Sequence, residues 1–219
     1  NFILDPLYLK EGIKIFRKEI EKFLFKVDII YIHSIPKISK IINENFLNNK
    51  TYHSIKHVLP YIDLSNHNYE TIKKSWSSSH RGDINRQERR LNKLGNLTFH
   101  FYDQNNYVKD ELIEDFLRAH SIRWNRKYDK NYYEIKSFYK NLIKSFKNEE
   151  IIHFSTLNLN NIVISYHFGF IINSRFYYYK PAYNIQYQNF SPGKIHISKL
   201  IELSINSRLK EFDLLLGDE

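Results

Sequence analysis

The sequence predicts an α/β fold, a mixed sheet flanked by helices, preceded by part of a second copy of the same arrangement. Three observations predict it. From Asn96 onward, runs rich in β-branched and aromatic residues alternate with runs of helical period, in the order β-α-α-β-β-β-α-β. Two polar dipeptides, Asn160-Asn161 and Asn173-Ser174, join three consecutive strands as hairpins, which makes those strands antiparallel. The path from Arg175–Tyr183 to Glu211–Leu216 passes through one helix, and such a crossover makes the strands it joins parallel.

The elements follow in chain order. Asp5-Pro6 opens a helix with a capping residue and a proline in the first turn, and Leu9, Ile13, Phe16, Ile20, Phe23 and Leu24 form its apolar stripe. Asp28–His33 reads as a strand and Pro36–Asn48 as a second amphipathic helix. Ser54–Leu64 reads as extended, with Pro60 placing it at an edge or bulge because proline lacks a ladder donor. Tyr69–Trp76 is a short helix, and Asp83–Leu94 a basic one stopped by Gly95. Asn96–Tyr102 is a strand, Lys109–Arg126 and Tyr133–Lys147 are helices, and Ile151–Leu159, Ile162–Ile172 and Arg175–Tyr183 are strands. Asn184–Gly193 is a turn-rich loop. Lys194–Leu209 repeats Ile197, Leu200, Ile201, Ile205 and Leu209 at helical spacing, and Glu211–Leu216 is a short apolar strand before Gly217.

Lys22–His33 resembles Ser207–Asp218, each a helix end followed by an aspartate and an apolar strand. This faint repeat fits two copies of one fold, with only the end of the first present. The expected division is residues 1–67 for the partial first copy, 68–95 for a basic helical linker and 96–219 for the second copy. The first residue is Asn and the chain contains no Met, so native sequence is expected on both sides. An end at Gly217-Asp218-Glu219 is expected to leave the last strand as an exposed sheet edge.

Composition bounds the function. With 219 residues, 42% hydrophobic and 26% charged, the chain can bury a core. No apolar run is long enough to span a bilayer and no signal peptide is visible at the start; no membrane insertion and a cytoplasmic location are expected. No Cys is present, so disulfides, thiol catalysis and zinc–thiolate sites are excluded within the chain. The net charge is +9, which suits a polyanionic partner, but it is spread along the sequence together with abundant Lys, Asn, Ile, Tyr and Phe, as an AT-rich genome produces. The histidines lack metal-ligand spacing, and no metal is expected.

The densest chemical signal is Ser191-Pro192-Gly193 at a helix start. The first amides of a helix have no intrahelical acceptor, and small residues leave them open to an anion. Tyr177 and Tyr179 share one strand face, and Phe176 and Tyr178 the other, so one pair is core and the other is free to line a groove. Tyr183 and Tyr187 lie near the loop and can supply a hydroxyl. The basic segment Arg81–Arg90 suits a phosphate-bearing partner, or is a solvated linker helix.

Several of these pieces together resemble GNAT-superfamily N-acyltransferases, within them the CelD-like (cellulose-biosynthesis-type) acetyltransferase domains, which are related to the Fem peptidoglycan aminoacyltransferases. The pieces are Pro60–Leu64, Arg86–Leu91 before Gly95, and His120 with Arg123-Trp124. Tyr177–Tyr179 with Tyr183, Ser191-Pro192-Gly193, and Phe212-Asp213 through Gly217-Asp218-Glu219 complete the set. The resemblance implies a GNAT-like mixed sheet preceded by part of a second GNAT-like copy. It implies a bacterial N-acyltransferase of polysaccharide biosynthesis that moves an acyl group, acetyl in the simplest case, from acyl-CoA to an amino group. The acceptor would be a small molecule, a sugar, glycan precursor or amino acid. It places the CoA pyrophosphate at Ser191, Pro192, Gly193, Lys194 and Ile195. The family's Arg/Gln-x-x-Gly-x-Gly/Ala signature is not intact, which leaves a carrier protein or aminoacyl-tRNA open as the donor, and tRNA as a second-choice partner. A non-catalytic binding module is the other alternative. Amine acylation needs a proton acceptor; the candidates near the inferred cleft are His167, Asp213, Asp218 and Glu219, and with Asp213 and His167 the third catalytic candidate is the Tyr183 hydroxyl. Tyr177, Tyr179, Arg123, Trp124, Asp218 and Glu219 fall where such a domain meets its acceptor.

Overall fold

A computed structural model describes residues 59–102, 108–123, 132–145 and 151–215, with scattered positions between 11 and 22. The chain divides into two compact units, Asn1–Lys56 and His57–Glu219. In the first unit, Glu11–Gly12, Lys14–Ile15 and Lys18–Glu19 are helical, within the first expected helix. The strand expected at 28–33 and the helix expected at 36–48 lie outside the described residues.

The second unit starts with strand β1 (Tyr61–Asp63), helix α1 (Tyr69–Ser75), helix α2 (Ser78–Leu94) and strand β2 (Leu97–Tyr102). Helices α3 (Asp110–Arg123) and α4 (Tyr132–Ser145) follow. Strands β3 (Ile152–Leu159), β4 (Ile162–Ile172) and β5 (Arg175–Tyr183) come next. A 3-10 turn (Ile185–Phe190), helix α5 (Pro192–Asn206) and strand β6 (Glu211–Asp213) complete the described part. The sheet order is β1-β6-β5-β4-β3-β2, antiparallel throughout except for the parallel pair β5 and β6. The expected α/β class and mixed sheet are what the structure shows.

Local chemistry sets the boundaries. Asn68 caps α1 by accepting the Thr71 amide at 2.9 Å. Ser77 does the same for α2 through the His80 amide at 3.2 Å, so this helix starts at Ser78 rather than at Asp83. The loop after β5 holds a 3-10 turn because the Asn184 side chain accepts the Gln186 amide at 3.1 Å. Asn173 and Ser174 both take positive φ, the conformation of a tight hairpin turn. β6 ends at Asp213, short of the expected Leu216. The Asp213 carboxylate accepts the Leu215 amide at 2.8 Å, and Leu215 turns to φ 59°, which takes the chain out of the ladder.

β6 is also not the edge it was expected to be. β1 pairs with it, Tyr61 opposite Asp213 and Asp63 opposite Glu211, and the Leu214 amide donates to Pro60 at 3.0 Å. β1 takes the edge position, where the missing N–H of Pro60 leaves no ladder bond unmade.

The core lies on both faces of the sheet. On one face Ile113, Phe116 and Leu117 of α3 and Tyr139 of α4 pack on Phe154, Tyr166, Phe168 and Ala182. On the other, Ile72, Leu200 and Ile201 pack on Phe176 and Phe212, while Ile84, Leu91 and Ile195 pack on Leu157, Leu159 and Ile164. Each fully buried side chain of this size stabilises the fold by about 1.5–3 kcal/mol. Gly169 marks a break in the β4–β5 register, where a Cβ would sit 2.4 Å from the Tyr177 carbonyl. Only glycine allows the two strands to close there.

Three histidines lie inside this core: His153, His167 and His196, at 4%, 1% and 2% exposure. Burial disfavours the imidazolium, taking His153 and His196 down to about 3 and His167 well below the ordinary 6.5. The folded values lie below the unfolded ones, so between pH 6.5 and 3 the unfolded chain binds the extra protons. Their contribution is full above pH 6.5 and is lost as pH falls. His153 and His196 together give a slope of about 3 kcal/mol per pH unit. Urea unfolding at pH 7, 6 and 5 should show this decline, and His153→Phe should flatten it by about 1 kcal/mol per pH unit. An unchanged slope in the variant would show that His153 is not held neutral.

Candidate functional site

The corner between β5 and α5 starts from a divergence. β5 and β6 pair only over Arg175–Tyr177 and Glu211–Asp213. Phe176 and Phe212 stack face to face across this pair at 4.9 Å. β5 then continues for six more residues to Tyr183, on a side that β6 no longer follows. The far half of β5 leads through the 3-10 turn to the start of α5.

That start has a defined geometry. Ser191 takes the left-handed conformation, φ 47° and ψ 50°, and Pro192 occupies the first helical turn. The Ser191 amide donates to Gln188 at 3.0 Å and the Lys194 amide to Ser191 at 3.0 Å. The Ile195 amide points at the same Ser191 carbonyl from 3.5 Å. Pro192 has no N–H, so Gly193 supplies the first-turn amide that a helix start leaves without an intrahelical acceptor. No heavy atom lies within 4 Å of where a Gly193 Cβ would stand, so there is open space beside the Gly193 Cα. Partial positive charge at a helix start favours an anion here.

Helix α2 flanks the corner. Lys194 Nζ lies 2.9 Å from Asp83, which also takes Arg86 at 2.6 Å, and Lys199 reaches Glu88 at 3.2 Å. The Lys194 hydrogen bond, more than that of Arg86, holds the Asp83 carboxyl below the usual carboxylate range. Arg90 donates to the Asn189 carbonyl at 3.3 Å and lies 4.7 Å over the Phe190 ring. The basic helix is thus latched to the 3-10 turn and to α5.

Tyr183 stands at the end of β5. The Arg123 guanidinium lies 5.1 Å over its ring, and Arg123 also donates to the Pro181 carbonyl at 3.4 Å.

Comparison with known proteins places this arrangement. The family described as "Acetyltransferase (GNAT) domain" matches residues 78–219, more than half of the chain. The chain belongs to the GNAT acetyltransferase family. Among solved structures it is similar to FemX, with a TM-score of 0.55 and 11% identity over 74% of this chain and 55% of that one. It is also similar to L-PGS from Bacillus licheniformis, with a TM-score of 0.48 and 10% identity over 74% of this chain and 46% of that one. At 11% identity the likeness to FemX is one of fold alone. The chain spans about half the length of the solved proteins it matches. No curated protein sequence matches it.

Within the GNAT domain the residues singled out by sequence fall in three places. Ser191, Pro192, Gly193, Lys194 and Ile195 form the corner, and Tyr183 ends β5 with Arg123 over its ring. Tyr177 and Tyr179 lie on the other face of β5, Tyr177 with Arg175 5.8 Å over its ring and Tyr179 at 46% exposure against Phe168 and Phe170. Asp213 lies 3.6 Å from Arg175, which also pairs with Glu211. His167 is in the core, stacked on Tyr178 at 4.6 Å, and neither ring nitrogen has a hydrogen-bond partner. Trp124, Asp218 and Glu219 lie outside the described residues. Among the described residues no group of three or more His, Cys, Asp or Glu is placed to hold a metal, and no helix is long and apolar enough to cross a membrane.

Sequence reasoning missed Asp83, His196, Ser155 and Ser165. Asp83 reads in the sequence only as the first residue of a basic helix. Ser155, Ser165 and His196 carry no distinct signal, since each sits among other polar residues or reads alone as an ordinary polar residue of a buried element.

Asp83 sets a test of the corner. Its carboxylate competes with any anion for Lys194, and two charges 4 Å apart interact by about 1 kcal/mol even in water. Asp83→Asn should therefore tighten inorganic pyrophosphate binding by about five-fold in calorimetry at low salt. Weaker binding would mean that Asp83 aligns Lys194 for the anion instead of competing with it.

Proposed function

We propose that this chain transfers an acyl group, acetyl in the simplest case, from acyl-CoA to an amino group of a sugar, glycan precursor or amino acid. In this reading it is a CelD-like GNAT acyltransferase of the bacterial cytoplasm, acting in polysaccharide biosynthesis. The observation that carries the reading is the corner itself. The Gly193 first-turn amide, with open space beside its Cα, and the Lys194 charge stand at the helix start that follows the half of β5 left unpaired by β6. A pyrophosphate at that helix start would meet Gly193, Lys194 and Ile195, with Ser191 and Pro192 shaping the turn that presents them. The acyl arm has the far half of β5 to lie along.

The chemistry balances simply. The acceptor nitrogen attacks the thioester carbonyl, the C–N bond forms, the C–S bond breaks and CoA leaves as its thiolate. The nitrogen gives up one proton and the thiolate takes one. Tyr183, at the end of β5 next to the corner, is assigned the proton donated to sulfur, and Arg123 over its ring holds the side chain in place. Tyr177 and Tyr179 are assigned to the acceptor. Asp213, ion-paired with Arg175, orients that side of the sheet. His167 is given no part in proton transfer, because at 1% exposure it meets neither substrate nor water.

Gly193→Val tests the donor site. Open space around Gly193 lets the variant fold, while the branched side chain covers the amide. The dissociation constant for CoA should rise about ten-fold, or about 1.4 kcal/mol, with an unchanged melting temperature. Unchanged CoA affinity would move the site elsewhere. A parent chain that binds no CoA but does bind aminoacyl-tRNA would make tRNA the donor. In an active preparation Tyr183→Phe should lower kcat by about 100-fold and leave the KM for acyl-CoA within two-fold, the pattern of a lost proton donor. A kcat unchanged by that variant would remove Tyr183 from the mechanism.

A further inference from the structure

One chain of polar side chains crosses the core on the α5 side. Ser155 of β3 lies 2.9 Å from Nε2 of His196, and Ser165 of β4 lies 2.9 Å from Nδ1. The Ser165 hydroxyl donates onward to the Ala182 carbonyl of β5 at 3.2 Å. All three side chains are buried. A serine hydroxyl has one proton, and that of Ser165 goes to Ala182. Its oxygen therefore accepts from the ring, so Nδ1 carries the imidazole proton and Nε2 accepts from Ser155. The directions are consistent from end to end, with every polar group of the relay satisfied.

The ends of this relay matter. His196 lies in the first turns of α5, three residues beyond Gly193, and its neighbour Ile195 is buried against the sheet. Ala182 lies in the far half of β5, next to Tyr183. A single run of hydrogen bonds thus ties the start of α5 to β3, β4 and the far half of β5. The start of α5 and the far half of β5 are the two sides of the proposed donor corner. An aliphatic residue at position 196 with alanines opposite would bury as well, since replacing both partners of a buried hydrogen bond with apolar groups is close to neutral. Apolar contact lacks the direction and fixed heavy-atom distance of a hydrogen bond. Around His196 the buried residues of α5 are mostly apolar or small, as Ile195, Ser198, Leu200 and Ile201 show.

We propose that His196 is a positioning residue of the donor site: through Ser165 and Ser155 it sets the start of α5 against the far half of β5, and with it the place of the Gly193 amide. The inference rests on the donor-site reading above.

The test separates stability from position. His196→Phe leaves the Ser155 hydroxyl buried without a partner, so the melting temperature should fall. The triple variant Ser155→Ala/Ser165→Ala/His196→Phe removes the stranded hydroxyls and should regain most of that loss. CoA affinity, measured by calorimetry, should be weaker by about five-fold in both variants, so that it does not follow the melting temperature. Affinity that returns with the melting temperature, or that never changes, overturns the inference and leaves His196 a space-filling residue. Should neither variant fold, His196→Asn decides. Its amide can replace the bond from Nδ1 to Ser165 but cannot reach Ser155, and CoA affinity should fall by about two- to three-fold. Parent affinity in His196→Asn overturns the inference. A parent chain that binds no CoA brings down the donor reading, and this inference with it. CoA binding that the variants retain in full brings down this inference alone.

Discussion

The structure depends on how far two strands run together. β5 and β6 pair over three residues, held by the parallel stack of Phe176 on Phe212. Longer pairing would seal the sheet and leave no place for a ligand between its halves. Shorter pairing would lose the stack and the ladder bonds that join β6, and β1 beyond it, to the rest of the sheet. The carboxylate of Asp213 fixes the limit, because it accepts the Leu215 amide and turns the chain out of the ladder. The crossover helix must then start beside the free half of β5 and end where β6 begins. Its first turn, with Gly193, is therefore brought to the place where the sheet has opened.

A second constraint is set by polar groups in the interior. Three imidazoles and two serines lie on the α5 face of the sheet, where aliphatic side chains would bury more apolar area without the cost of desolvation. His196 is fully hydrogen-bonded, whereas His153 leaves Nε2 and His167 leaves both nitrogens without a partner. His167 instead stacks between Tyr178 and Phe176, at 4.6 Å and 5.5 Å. The interior is thus less stable than its area would allow, and more so in acid. In exchange it holds a directional link between the sheet and the helix that forms the corner.

The sequence shows the strands best where short-range chemistry decides them. β4 and β5 have the limits read from the sequence because Asn173-Ser174 specifies a tight turn and the flanking runs have strand composition. The crossover made β5 and β6 parallel, as expected, since chain connectivity alone settles that sign. What failed was set by side chains acting at a distance or on their own backbone. Ser77 capped α2 ahead of the apolar pattern that marked the helix. Asp213 ended β6 inside an apolar run. β1 closed the edge of β6 from residues about 150 positions earlier in the chain, a pairing that periodicity cannot reveal. In the site, the corner was legible because Ser-Pro-Gly is a local backbone signal. The relay was not, because it joins residues 155, 165 and 196 across three elements, and each alone reads as an ordinary polar residue.

The central claim is that the opening between β5 and β6 and the start of α5 form one donor site. Amide NMR of the chain during a CoA titration tests it most directly. The account predicts the largest shift changes at Gly193, Lys194 and Ile195, with a second group along Tyr178–Tyr183 and little change in α3 and α4. Changes confined to the exposed face of α2, or to the Tyr177–Tyr179 side alone with Gly193 unmoved, would contradict it.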